Sequence, residues 1–206
     1  MASSLDVTRD RLLLVRQVHG TGVAIARRGR LGVWDRPEAD IIVTDAPDVA
    51  IGVRVADCAP VLLFDRTQGV AGAAHAGWRG AAAHAVVTAV GVMQKTFGSR
   101  PSDLIAAIGP CLGACCGEVG PEVIEAFRSG GADRISLERW FRPGHGDRAL
   151  LDLVQANRDQ LIGAGVLSEA IFDSGLCTKT HHARLHSYRA DRERAGRMLG
   201  AIRATT

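Results

Sequence analysis

Apolar residues recur along the chain in short runs bounded by polar turns, a pattern that predicts many strands and few helices. The clearest unit lies within Val55–Arg79. Two apolar runs, Val61–Phe64 and Val70–Ala74, flank Asp65-Arg66-Thr67-Gln68-Gly69, which predicts an antiparallel hairpin. Placing Phe64 opposite Val70 puts Ala59 opposite His75, so Cys58 and His75 become neighbours at the open end. Further strands are predicted over Leu12–Val18, Val23–Ala26, Asp40–Val43, Val49–Val55, Leu104–Ile108 and Ile171–Asp173. Asp45-Ala46-Pro47-Asp48 is a turn, and Leu31–Glu38 a loop. One helix is predicted from Trp78 to Phe97, with Val86, Val90, Met93 and Phe97 on one face and Gly98 just past its end. Pro121–Arg128 is a short helix. Leu153–Leu161 is another, with Asp152 as N-cap, Gln155 in the capping-box position, and Gly163 or Gly165 as its stop. Ser129–Pro143 reads as irregular and Ser187-Tyr188-Arg189 as a strand, before a final apolar stretch at Met198–Ile202. Strands flanked by a few helices, without regular alternation, predict an α+β fold.

Composition narrows the classes. A chain of 206 residues suits a single domain, residues 1–206, and 47% hydrophobic with 23% charged residues is ordinary for a globular protein. A net charge of +3 gives no electrostatic case for nucleic acid. No apolar run approaches the roughly 18 residues of a membrane span, and MASSLDVTRDR lacks a signal-peptide core, so a cytoplasmic protein is expected. Five cysteines, an odd number, argue against a disulfide framework. Cys111, Cys115 and Cys116 read as thiols lining a turn, because adjacent cysteines chelate poorly. His182 and His186 would need a helix to share a metal, and a second metal site is not expected among His181, His182 and His186.

The chemistry gathers around the hairpin. A thiolate and an imidazole at this range can share one Zn²⁺, and His19, at a strand end beside Gly20, is the best third ligand. Three ligands leave one tetrahedral position open, as in catalytic zinc sites. Ala76-Gly77-Trp78-Arg79-Gly80 follows His75 and opens the predicted helix, so an anion pocket with Arg79 is expected beside the metal. Asp57, next to Cys58, is a candidate for orienting a ligand or handling a proton.

Several motifs extend the reading over nearly the whole chain. Gln17-Val18-His19-Gly20, Ala56-Asp57-Cys58-Ala59-Pro60, His75-Ala76-Gly77-Trp78-Arg79-Gly80 and Gly109-Pro110-Cys111-Leu112-Gly113 stand in order, followed by Cys177-Thr178, Ser187-Tyr188-Arg189 and Gly196-Arg197-Met198. Together they resemble the laccase-domain family, also called multicopper polyphenol oxidases and reassigned as zinc-dependent purine nucleoside phosphorylases. The resemblance implies a layered α-β-β-α sandwich and a metal on His19, Cys58 and His75, zinc with copper as the alternative. It implies phosphorolysis of adenosine, inosine, guanosine and methylthioadenosine, with deamination of adenosine. Gln17, in the first motif, joins Arg79 and Asp57 as a candidate catalytic residue.

Three departures are visible. Only 16 residues precede Gln17, Gly117 stands where the family often has an aromatic, and Leu185-His186 replaces a common Phe-Phe pair. The short lead suggests a pocket wall completed by a second copy of the chain, hence a homo-oligomer. Alternative readings are an amidohydrolase editing a peptidoglycan precursor and a metal- and nucleoside-binding protein without turnover. A laccase is the least favoured, because seven scattered histidines do not supply a copper cluster.

Overall fold

The computed structural model describes residues 5–29 and 34–205, so positions 31–33 of the predicted Leu31–Glu38 loop lie outside the described residues. In chain order the strands are β1 (Leu12–Leu14), β2 (Val23–Ala26), β3 (Ile41–Thr44), β4 (Ala50–Val55), β5 (Ala59–Asp65) and β6 (Ala71–Ala76). Helices α1 (Trp78–Ala82) and α2 (Ala85–Phe97) precede β7 (Leu104–Ile108) and β8 (Glu118–Val119). Then come α3 (Pro121–Ser129), α4 (Arg134–Trp140), β9 (Phe141–Pro143), β10 (Ala149–Leu151), α5 (Leu153–Gly163), β11 (Ile171–Asp173), α6 (Tyr188–Asp191) and β12 (Met198–Arg203).

A six-stranded sheet in the order β11-β7-β5-β6-β3-β2 forms the middle of the molecule. Its strands alternate between two cores, as the period of two along a strand requires. Val61 and Leu63 of β5 face the helices, where they pack with Val86, Val90 and Met93 of α2 and with Leu161 of α5. Leu62, Ile42, Ala71 and Ala73 face the other way, against Ile51 and Val53 of a three-stranded sheet, β1-β4-β12. Helices, large sheet and small sheet thus stack as layers of the expected α+β sandwich. Among the described residues no helix is long and apolar enough to cross a membrane.

Six local expectations are corrected. The hairpin register is offset by one residue: Phe64 pairs with Ala71, Pro60 with His75 and Ala59 with Ala76. The cause is the loop. Asp65 accepts hydrogen bonds from the N–H groups of Thr67 and Gln68, and its own N–H donates to the Val70 carbonyl, so Val70 closes the turn. Cys58 then lies beyond the last β5 pair, across from Gly77, and shares a face with His75 as a diagonal neighbour; the expected register would have put them on opposite faces.

The predicted Trp78–Phe97 helix is two helices, broken at Ala83-His84, where His84 is left-handed (φ 59°) and its ring is 2.7 Å from the Gly130 carbonyl. Gly98 ends α2 in the left-handed region, as expected. The Leu12–Val18 strand stops at Leu14, with a single bridge from Arg16 to Glu38 beyond it. Ser129–Pro143 is not irregular: α4 is capped by Asp133, whose side chain accepts from the Ser136 N–H, and β9 follows. Ser187 does not open a strand but caps α6, accepting from the Ala190 N–H. In α5 Asp152 caps Gln155 N–H as predicted, while the Gln155 amide donates forward to Asp159 rather than back.

Candidate active site

His19, Cys58 and His75 converge. One ligand atom from each lies within 4.8 Å of the other two. β5 and β6 set the positions of Cys58 and His75, and the turn after β1 brings His19, held in a left-handed conformation (φ 62°), over them. Its ring meets His75 edge-on at 4.9 Å between centroids. Gly77 makes room for the sulfur, since a Cβ there would sit 2.4 Å from Cys58 Sγ.

The buried carboxylate of Asp40, at the head of β3, organises this cluster. It accepts from the N–H groups of Val18, His19 and Gly20 at 3.2, 3.0 and 2.7 Å, and meets His75 Nδ1 at 2.7 Å. That contact places the His75 proton on Nδ1 and turns Nε2 toward the cluster. Burial works to raise the Asp40 pKa, but the His75 contact and the turn's N–H groups hold it below the usual carboxylate value. For His75, burial favours the neutral ring; hydrogen bonds to Asp40 and Cys58 outweigh it and raise the value to about 9. Burial likewise raises Cys58, yet hydrogen bonds from His19 and His75 bring it down to about 7. Two imidazoles and a thiol poised for ionisation, one ring oriented by a carboxylate, form a donor set suited to zinc.

Beside Cys58 opens a cavity of about 340 Å³. Arg79, Arg192 and Arg197 line it, and none of the three pairs with a carboxylate among the described residues. Arg79 stacks over Trp78, 4.2 Å from the ring centroid. Arg197 also lines a second hollow with Gln17, His19 and His75, so it borders both sides of the cluster. The predicted helix-terminus anion site is weaker than expected, because α1 is only five residues long. The positive charge comes from the arginines.

Asp57 and Gln17 are engaged elsewhere. Asp57, left-handed at φ 84°, accepts from the Thr178 hydroxyl at 2.5 Å and the Arg189 N–H at 2.6 Å, clamping the C-terminal segment to the cavity. Gln17 exchanges two 2.8 Å hydrogen bonds with the Arg54 backbone, extending the edge of β4 as a strand would. Asp40 and Arg192 escape sequence reasoning, and Arg197 enters it only within the Gly196-Arg197-Met198 motif, with no role at the site. His181, His182 and His186 join no three-ligand group among the described residues, whereas Cys115 and Cys116 meet Cys177.

A family of multi-copper polyphenol oxidoreductase laccases matches residues 1–205. The chain belongs to that family. A purine nucleoside phosphorylase of Bacteroides thetaiotaomicron is 38% identical over 165 residues, 79% of this chain. The match spans 60% of that relative's length. Adenosine deaminase RL5, from an unknown prokaryotic organism, is 34% identical over 98% of this chain and 78% of its own. The crystal structure of YlmD from Geobacillus stearothermophilus superposes with a TM-score of 0.87 at 33% identity, covering all of this chain and 77% of the other.

Proposed function

We propose that this chain is a zinc-dependent purine nucleoside phosphorylase that acts on adenosine, inosine, guanosine and methylthioadenosine and also deaminates adenosine. The observation that carries the reading is the juxtaposition of His19, Cys58 and His75 with a cavity whose lining includes Arg79, Arg192 and Arg197, which have no carboxylate partner among the described residues. Relatives named for phosphorolysis and for adenosine deamination support it. Held by these three residues, zinc would supply a Lewis acid with one position open to substrate or water. Arg79, Arg192 and Arg197 bind phosphate, whose dianion matches the guanidinium fork. A phosphate oxygen forms a bond to C1′ of the ribose as the C1′–N9 bond breaks, and the purine leaves with the electron pair and takes a proton. Asp57 and Gln17 act as positioning residues, the first fixing Thr178 and Arg189, the second tying the segment before His19 to β4.

Metal entry must displace protons from its ligands. With His75 raised to about 9 and Cys58 lowered to about 7, zinc binding at pH 7 is expected to release protons from these two groups, and fewer at pH 9. Affinity therefore rises with pH across that window, because the protonated forms compete with metal. Calorimetry in buffers of differing ionisation enthalpy measures the release. A value near zero at pH 7 would contradict this donor set.

The test of function is incubation of zinc-loaded protein with inosine, with and without phosphate. Hypoxanthine appearing only with phosphate supports the proposal; equal release without it indicates a hydrolase, and no release at all a binding protein.

A further inference from the structure

We infer that Cys115, Cys116 and Cys177 form a second cation site, a three-sulfur cradle for a soft ion of the Cu⁺ class, distinct from His19, Cys58 and His75. The three sulfurs lie within 4.8 Å of one another. A trigonal ion with metal–sulfur bonds of about 2.3 Å needs sulfurs about 4.0 Å apart, a spacing inside that bound.

The backbone is built around the thiols. Cys111 and Cys177 form a parallel bridge, and the Thr178 N–H donates to the Cys111 carbonyl at 2.9 Å, which fixes Cys177 against the loop. The Cys116 N–H donates back to Gly113 at 3.0 Å, closing the turn that carries both other cysteines. A Cβ on Gly113 would lie 3.5 Å from both Cys115 Sγ and Cys177 Sγ, so the bare Cα leaves room between these two sulfurs. Burial pushes the Cys177 thiol up, yet the backbone N–H groups of Thr180 and Gly113 and the Cys115 thiol pull it below the ordinary range. Burial and the Cys177 and Cys116 sulfurs hold the Cys115 thiol above it, so the pair readily gives up one proton and the ion must displace the other.

The donor count selects the ion. Thiolates prefer soft cations, and structural zinc closes four protein ligands. Among the described residues no fourth histidine, cysteine or carboxylate joins the trio, and three sulfurs satisfy a trigonal monovalent ion. Cys115 is exposed, Cys116 half-buried and Cys177 buried, a graded path by which an ion can enter from solvent. Adjacency of Cys115 and Cys116, poor for a chelate of two, suffices once Cys177 supplies the third corner.

The experiment titrates reduced protein, loaded with one equivalent of zinc, with Cu⁺ against a chromophoric Cu⁺ chelator under anaerobic conditions. The site predicts uptake of one Cu⁺ with zinc retained, and a new near-ultraviolet thiolate-to-copper absorption. Cys115→Ser, an exposed and conservative change, should weaken uptake by about 100-fold or more, at or beyond the 10–100-fold typical of lost outer-shell support. Circular dichroism and retained zinc confirm that this variant is folded; Cys177→Ser gives the independent second test. Zinc leaving as copper enters, equal uptake by the Cys115→Ser chain, or a Cys115–Cys177 disulfide in a chain whose reduced form takes no copper would each overturn the inference.

Discussion

Asp40→Ala is expected to destabilise the folded chain by roughly 3–5 kcal/mol, the range for breaking one side of a buried charged pair. The carboxylate has no exposed surface, and alanine would strand the N–H groups of Val18, His19 and Gly20 together with His75 Nδ1. Each abandoned donor carries its own desolvation cost of about 1–3 kcal/mol, partly relieved as water enters. Zinc affinity should fall by about 10–100-fold as well, because His75 loses the partner that orients it. Asp40→Asn keeps the volume but offers one acceptor oxygen, so its loss should be smaller. Acid should mimic the mutation. Asp40 is held below the usual carboxylate value, so the stability it contributes is complete above the unfolded carboxylate range and disappears as pH falls through its folded value. Urea unfolding of wild type and both variants measures the differences; a shift under about 1 kcal/mol for Asp40→Ala would mean that the turn finds other acceptors.

Arg79→Ala is expected to lower kcat/KM for phosphate by about 10²–10³, the range for losing a single electrostatic donor. Arg79 is free of carboxylate partners among the described residues and rests on Trp78 beside Cys58, so its guanidinium is available to a dianion. The short α1 adds little dipole to share the task. If the contact forms equally in ground and transition states, KM for phosphate rises and kcat holds. Lysine should restore charge without the bidentate fork, recovering part of the loss. Initial rates at varied phosphate and saturating inosine separate these cases. Unchanged phosphate kinetics in Arg79→Ala would leave Arg192 and Arg197 as the phosphate-binding arginines.

The parts of the molecule legible from sequence are those whose determinants are local. The β5–β6 hairpin announces itself through two apolar runs and a turn ending in Gly69, and α5 through Asp152 and its apolar spacing. Its register was not legible, because Asp65 spends its side chain on the turn and so moves Val70 into the closing pair. Short helices hide for a related reason. α4 has two turns with exposed Ile135 breaking its apolar face, and α6 has four residues, so neither shows a period. His19, Cys58 and His75 were visible as residue types beside strand ends. Asp40 was not, since an aspartate before an apolar run looks like a solvated strand lead-in; only the fold buries it under the His19 turn. Arg192 was lost among the many arginines and Arg197 stood out only within a motif, without a role; both reach the cavity through the Asp57 clamp on Thr178 and Arg189. Cys177 joins Cys115 and Cys116 only through the bridge to Cys111.

The origin of the oxygen on the sugar product tests the central claim most directly. Zinc-loaded protein is given inosine and phosphate in ¹⁸O-labelled water, and the sugar product is examined by mass spectrometry and ³¹P NMR. Phosphorolysis predicts ribose 1-phosphate whose C1′ oxygen comes from phosphate and carries no label. Free ribose formed in place of ribose 1-phosphate would contradict the account and make the chain a nucleoside hydrolase.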